Sequence, residues 1–479
     1  MSEAASALLG RLREIVGESG LVTDPDALSP FLVEQRGNYR GATSLAVCPA
    51  NTEETAAVVK LLYEAGVAIV PQGGNTGLCG GAVPAESGEQ VILSLRRLNR
   101  VRAVDPLNFT ITVEAGCILS EVQAAAAAAD RLFPLSLAAE GSCQIGGNLA
   151  TNAGGTQVLR YGNARELVLG LEVVLPDGQV LNMLRGLRKD NTGYDLKHLF
   201  CGAEGTLGII TAAVLKLFPR PRAQVTALLA VRDLAAAIEL LGRARSETGD
   251  AVTAFEFISR RALDFVLRHI PGTRDPLSER HECYVLLDAT STAEPVPGER
   301  PGQELWTRVS ALLEKGSEDG LVLDAALAQS ASQGLELWKL RESVPDAQKP
   351  EGASLKHDVA VPVSRVAEFV QKATEAVEAA LPGVRVCAFG HVGDGNIHFN
   401  LTQPEGADRK AFLAERDRIA HIVDELVMSM DGSFSAEHGI GRLKRAELVE
   451  YRSAVEVDLM RRIKAALDPK GLMNPGKVL

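Results

Sequence analysis

Near the N-terminus the apolar positions Leu8, Leu9, Leu12, Ile15 and Val16 recur at helical spacing and predict an amphipathic helix. Short apolar runs at Ser44–Cys48 and Val67–Val70 predict strands. Asn51-Thr-Glu-Glu between them has the pattern of a capped helix start, so residues 45–70 read as a β-α-β unit. Further strands are expected at Val91–Leu95, Thr110–Val113, Leu167–Leu175 and Gly208–Phe218, interrupted by one helix carried by the alanine run Ala124–Ala129. The pattern changes at Pro219-Arg-Pro221-Arg, after which glycine thins out and helical periodicity alternates with strands to about residue 425. Within that stretch Asp288–Glu304, rich in Ser, Thr, Pro and Gly, is expected as an exposed loop. The last stretch predicts a long helix to Leu467 and a turn from Asp468 to Gly476. The expected organisation is α+β in three segments, 1–220, 221–425 and 426–479.

The length of 479 residues supports two or three domains, each with its own core. Composition adds exclusions. With 46% hydrophobic and 23% charged residues the chain has a globular balance, and no stretch reaches the roughly 20 uncharged apolar residues of a membrane span. The net charge of -11, without a long basic run, argues against nucleic acid. It also means that an anionic substrate needs locally placed Arg or Lys. Seven scattered cysteines without a C-x-x-C pair, and a start without a basic leader region, lead us to expect a reduced, cytoplasmic protein.

Glycines cluster with Asn, Thr and Ser in Pro71-Gln-Gly-Gly-Asn-Thr-Gly77, Gly141-Ser-Cys-Gln-Ile-Gly-Gly-Asn148 and Asn152-Ala-Gly-Gly-Thr156. Each alone could be a tight turn between short strands. Together they suggest backbone amides lining a pyrophosphate site. There is no G-x-G-x-x-G motif for a Rossmann nicotinamide site. Gly471–Lys477 approaches a Walker A loop but fails it, because Val478 stands where the Ser or Thr belongs and only Leu479 remains for a helix.

Two of the eight histidines frame His391-Val-Gly-Asp-Gly-Asn-Ile-His398. Asp394-Gly395 is a turn signal, and Ile397, Phe399 and Leu401 alternate with His398 and Asn400, which predicts a hairpin that can bring His391 near His398. Histidines at this spacing are also common as surface or hydrogen-bonded core residues. With a third ligand, for which Glu437 in Ser435-Ala-Glu-His-Gly439 is a candidate, they would form a site for Zn²⁺ or a similar ion and leave His438 for proton transfer.

The glycine segments, together with Gly202-Ala-Glu-Gly-Thr-Leu-Gly-Ile-Ile210, resemble the FAD-binding segments of the vanillyl-alcohol oxidase/PCMH flavoprotein superfamily. The histidine and Glu437-His438 pattern resembles the D-2-hydroxy acid dehydrogenase branch, closest to its D-2-hydroxyglutarate dehydrogenases. The resemblance implies a PCMH-type FAD-binding domain, an α+β substrate cap and a C-terminal segment returning to the flavin. For FAD it implies Pro71, Gln72, Gly73, Gly74, Asn75, Thr76, Gly77, Pro134, Gly141, Ser142, Gly146, Gly147, Asn148, Thr151, Gly205, Ile210 and Asn474. Many relatives tether FAD through a histidine in the first loop; here Asn75 and Thr76 occupy it, so the flavin is expected to be non-covalent.

The same resemblance implies His391, His398 and Glu437 as ligands of a divalent metal, with Zn²⁺ the expected ion, and His438 as base. Trp338-Lys-Leu-Arg341 and Leu355-Lys356 resemble carboxylate-clamping segments, implying Arg341, Lys356 and Asn400 as substrate contacts, although by composition alone both cations could be surface charges. Relatives often carry a threonine where this chain has Pro345. The implied reaction is oxidation of D-2-hydroxyglutarate to 2-oxoglutarate, with hydride passing to flavin N5 and electrons to an external acceptor such as an electron-transfer flavoprotein. D-lactate is the alternative substrate.

Overall fold

Asn51 opens the helix Thr52–Glu64 by accepting the Glu54 amide, while the Glu54 carboxylate returns to the Ala50 amide. In this computed structural model, which describes residues 3–479, that helix links the strands Ala46–Val47 and Ile69–Gln72. Met1 and Ser2, where the leader reading begins, lie outside the described residues. Both strands run parallel to Val91–Ser94, and Leu21–Val22 completes a four-stranded sheet. A second, antiparallel sheet orders Val101–Asp105, Thr110–Glu114, Ile209–Lys216, Val168–Val174 and Val180–Asn182. The alanine run forms the helix Leu119–Ala128, and the N-terminal helix Glu3–Val16 buries Leu12 and Val16.

Two compact units result. One holds the residues through Gly154, Gly162–Pro219 and Glu437–Leu479; the other holds Gly155–Tyr161 and Arg220–Ala436. The second unit extends past the expected boundary at 425 because Ile419, Val423, Val427 and Met430 are buried in its core and Ser433 pairs with Ala360. It also takes Gly155–Tyr161, where Arg160 bonds the Thr290 hydroxyl and the Ala251 carbonyl. The C-terminal turn joins the first unit through the backbone of Ile69, which bonds Leu472 and Asn474.

The second unit is built on an eight-stranded antiparallel sheet ordered Val322–Leu327, Ala223–Val231, Cys283–Ser291, Val252–Ser259, Arg385–Gly390, Asn396–Thr402 and Ser354–Leu355, with Asp358–Ala360 also pairing with Asn396–Thr402. Its strands read as continuous apolar runs because both faces are covered. On one face Ala227, Leu229, Phe255, Phe257, Ile397, Phe399 and Leu401 pack against helices Leu234–Thr248, Gln303–Glu318, Val366–Ala380 and Arg416–Met428. On the other, Leu228, Ala230, Ile258, Leu286, Cys387 and Phe389 pack against Arg260–His269 and Ala331–Glu342.

Two sequence expectations need correction. The exposed loop begins only after Ser291: Asp288 is a buried strand residue whose carboxylate accepts from Gln224, Thr226 and Thr253. The expected long helix to Leu467 is two helices, Arg445–Tyr451 and Ala454–Leu467, because Ser453 and Glu456 form a capping box that starts a new helix.

Candidate active site

In the first unit the loop after the strand Ile69–Gln72, the helix Ile145–Ala150 and the segment leading into the strand Ile209–Lys216 line a cavity. Pro71, Gln72, Gly73, Gly74, Asn75, Thr76 and Gly77 line one side, with Gly146, Gly147, Asn148, Thr151, Gly205 and Ile210 around the rest. The glycines have distinct causes. A Cβ on Gly74 would sit 2.2 Å from the Ser142 carbonyl oxygen, so that glycine lets two loops pack, and Gly205 holds φ +72° against the Pro71 ring. By contrast, a Cβ on Gly77 or Gly147 would meet no protein atom within 4 Å; both border the cavity, where glycine keeps the wall open to a ligand. Among the described residues the buried Gln144 Oε1 and Asn148 Oδ1 have no hydrogen-bond partner, which suits a polar cofactor lying against them.

Pro134, Gly141, Ser142 and Asn474 do not line this cavity. Asn474 is instead a brace: its Nδ2 donates to the carbonyls of Gly81 and Glu204 at 3.0 and 2.7 Å. Asn75 adopts φ +53° and donates to the carbonyls of Pro30 and Val33, fixing the first glycine loop. Leu137, Ala138, Ala139 and Cys79 line the cavity although no motif marks them for that purpose, and Glu204 lines it from within the Gly202–Ile210 segment.

Glu437 and His438 also border this cavity. The turn that carries them is anchored by Glu204, whose carboxylate accepts the Ile440 and Gly441 amides at 2.7 and 2.9 Å. Gly439, at φ +73°, permits the approach, since a Cβ there would come within 2.7 Å of Glu204 Oε1. Burial raises the Glu204 pKa, opposed by those two amides and by Lys477.

The second unit places the other candidates on one face of its sheet. His398 pairs across the hairpin with Phe389, and Asn400 with Cys387. Both partners belong to the cluster covered by Ala331–Glu342, so His398 and Asn400 project to the side opposite Ile397, Phe399 and Leu401. The turn at Val392–Gly395 returns His391 to this side, where the two imidazole centroids lie 5.4 Å apart, edge to face. Asp358 pairs with His398 and has Oδ1 3.7 Å from its Nδ1. The Ala436 amide bonds the Asp358 carbonyl, and Glu437 is the next residue.

Arg341 is 5% exposed, with Nε 2.8 Å from Glu256 Oε2 and its guanidinium carbon 5.0 Å from the Phe389 ring centroid. It is therefore no ordinary surface charge. Among the described residues its side chain makes no other hydrogen bond. Glu256 also takes His391 Nδ1 on Oε1 at 2.8 Å. Burial alone would raise the Glu256 pKa, but His391 and Arg341 outweigh it and hold the carboxyl below its usual range. Asn400 donates to Gln348 Oε1 at 3.0 Å, and Gln348 in turn donates to Thr402. Lys356 is half-buried in the link between Ser354–Leu355 and Asp358–Ala360. Glu256 and Gln348 escaped sequence reasoning; the available signal for Glu256 was a carboxylate between two phenylalanines in an apolar strand.

The comparisons with known proteins agree with this architecture. Residues 220–478 match the family described as FAD linked oxidases, C-terminal domain, and residues 43–184 match an FAD binding domain. The chain belongs to the FAD-linked oxidase family, within which its relatives include D-2-hydroxyglutarate dehydrogenases. It is similar to the mitochondrial D-2-hydroxyglutarate dehydrogenase of Arabidopsis thaliana, 38% identical over 468 residues, covering 98% of this chain and 80% of the relative. It is equally similar to the D-2-hydroxyglutarate dehydrogenase of Xanthomonas citri pv. viticola, 38% identical over 467 residues, covering 98% and 96%. A substrate-bound p-cresol methylhydroxylase structure shares the fold at a TM-score of 0.72 and 17% identity, covering all of this chain and 97% of that one. FAD is thus the cofactor, and the protein is an FAD-dependent oxidoreductase.

Proposed function

We propose that this protein oxidises D-2-hydroxyglutarate to 2-oxoglutarate, as the names of its relatives say of them. The observation that carries the reading is Arg341. It is a buried cation anchored at Nε by Glu256 and lying on the same sheet face as His398 and Asn400. A guanidinium held this way presents a planar pair of N–H donors suited to a carboxylate. Arg341 and Lys356 supply the local positive charge that an acidic protein needs to bind a dicarboxylate.

His391, His398 and Glu437 are proposed as ligands of a divalent metal, Zn²⁺ by the nitrogen and carboxylate character of the donors. The donor chemistry fits: the two imidazoles are adjacent, and the Glu256 carboxylate on Nδ1 of His391 sets Nε2 as the ligating nitrogen. A metal, when bound, supplies a Lewis acid for the substrate hydroxyl. FAD, when bound, supplies the acceptor for the two electrons. His438 takes the hydroxyl proton, a task suited to neutral imidazole. We propose that the flavin is non-covalent, because the first glycine loop offers Asn75, already bonded to Pro30 and Val33, in place of a tethering histidine. The seven buried cysteines form no disulfide among the described residues, which suits a reducing cytoplasm, and an electron-transfer flavoprotein is the acceptor we propose by likeness to dehydrogenases.

The test is kcat/KM with an artificial acceptor for D-2-hydroxyglutarate and D-lactate. Losing the distal carboxylate forfeits a charge-assisted contact of about 1.5–3 kcal/mol, so the diacid should be favoured by roughly 10- to 100-fold. Equal values for the two acids would favour the D-lactate reading.

A further inference from the structure

We infer that Glu256 is a positioning residue that joins metal binding to carboxylate recognition. The inference rests on the proposed roles of His391 and Arg341 and adds a residue that neither role requires by itself. Glu256 lies in the strand Val252–Ser259 between Phe255 and Phe257, which both point into the core on the other face of the sheet. Strand alternation therefore turns its side chain toward the helix Ala331–Glu342, where Arg341 sits. The neighbouring residue Phe257 pairs with Gly390, the residue before His391. One carboxylate is thus delivered by register to two functional side chains. At 1% exposure it has little contact with water.

The two oxygens divide the work. Oε1 is 2.8 Å from His391 Nδ1, and Oε2 is 2.8 Å from Arg341 Nε. A carboxylate can only accept, so the proton of neutral His391 resides on Nδ1 and the lone pair on Nε2, the nitrogen opposite Glu256. The second bond fixes the guanidinium plane above Phe389, with the Nη1 and Nη2 edge as the remaining bidentate donor. Metal ligand and substrate clamp therefore share one rigid support, and a change at Glu256 reaches both.

Glu256→Gln tests this. Its amide has one acceptor and one donor end, so it can satisfy His391 or Arg341 but must turn an N–H toward the other. Zn²⁺ affinity of the flavin-loaded protein, read by chelator competition, should fall about 10- to 100-fold, the usual consequence of losing a ligand's hydrogen-bond partner. KM for D-2-hydroxyglutarate should rise about tenfold or more, with the flavin spectrum unchanged. Because the variant leaves Arg341 buried without its counter-charge and could misfold, Arg341→Met and the double variant complete a cycle. Arg341→Met should raise KM while keeping Zn²⁺ affinity within about threefold of wild type. In the double variant Zn²⁺ affinity should fall as in Glu256→Gln, and KM measured at saturating Zn²⁺ should match Arg341→Met alone, because Glu256 reaches the substrate carboxylate only through Arg341. A wild-type protein that binds no Zn²⁺ overturns both the metal reading and this inference. A wild type that binds Zn²⁺ while Glu256→Gln, or the double variant if only that folds, binds it equally tightly overturns the inference alone. So does a further rise of KM on adding Glu256→Gln to Arg341→Met.

Discussion

Lys477 shows how a residue's surroundings, rather than its motif, decide what it does. It stands where a Walker A lysine would, yet it is 3% exposed, and the turn before it is organised by Asp468, which accepts the amides of Leu472 and Met473. Burial, then Arg442 and Arg445, push its pKa down from 10.5 to about 8, with Glu204 opposing. Between those values the unfolded chain binds more protons than the folded one, so stability rises with pH. The cost of burying the charge is fully present below about pH 8 and is relieved toward pH 10.5. Denaturant unfolding should therefore show wild type gaining about 1–2 kcal/mol relative to Lys477→Met between pH 8 and 10. Parallel curves for the two proteins would show that Lys477 keeps its ordinary pKa. The residues proposed to touch ligand were the more legible ones, since glycine loops and paired histidines carry a chemical signature. Glu256 and Gln348 were not legible, because a supporting residue is defined by what lies across the fold from it.

Among the elements, the hairpin Arg385–Thr402 was the most readable, since a strict two-residue alternation and an Asp-Gly turn fix both register and faces. Sequence could not show that its polar face is also buried, because that depends on the helix Ala331–Glu342 packing over it. The break at Ser453 was legible in principle from Ser-x-x-Glu, but helical periodicity on both sides of it conceals a cap. Since the hairpin lies in one compact unit and the glycine loops in the other, the two functions should separate. His398→Ala should lose Zn²⁺ and turnover while retaining a full complement of FAD, as measured by metal analysis and flavin absorbance on one sample. Loss of FAD along with the metal would show that the hairpin supports the flavin site as well.

At the scale of the whole molecule, composition changes near Pro219, where one compact unit gives way to the other, but not at Ala436, where the second unit ends. The helix Arg416–Met428 belongs to the second unit for the buried apolar face it contributes there, a property set by its packing partner. The long returns of chain, with Gly155–Tyr161 leaving the first unit and Glu437–Leu479 rejoining it, cannot be seen in local periodicity. Function was readable where fold detail was not, because chemistry is concentrated in a few short segments whereas packing is spread over hundreds of residues. The central claim, that a flavin in this scaffold accepts electrons from D-2-hydroxyglutarate, is tested most directly by anaerobic titration of the FAD-loaded, Zn²⁺-loaded protein. One equivalent of the D-acid should bleach the yellow flavin and yield one equivalent of 2-oxoglutarate, while the L-acid leaves the colour unchanged. A flavin that stays oxidised with excess D-2-hydroxyglutarate would contradict the account.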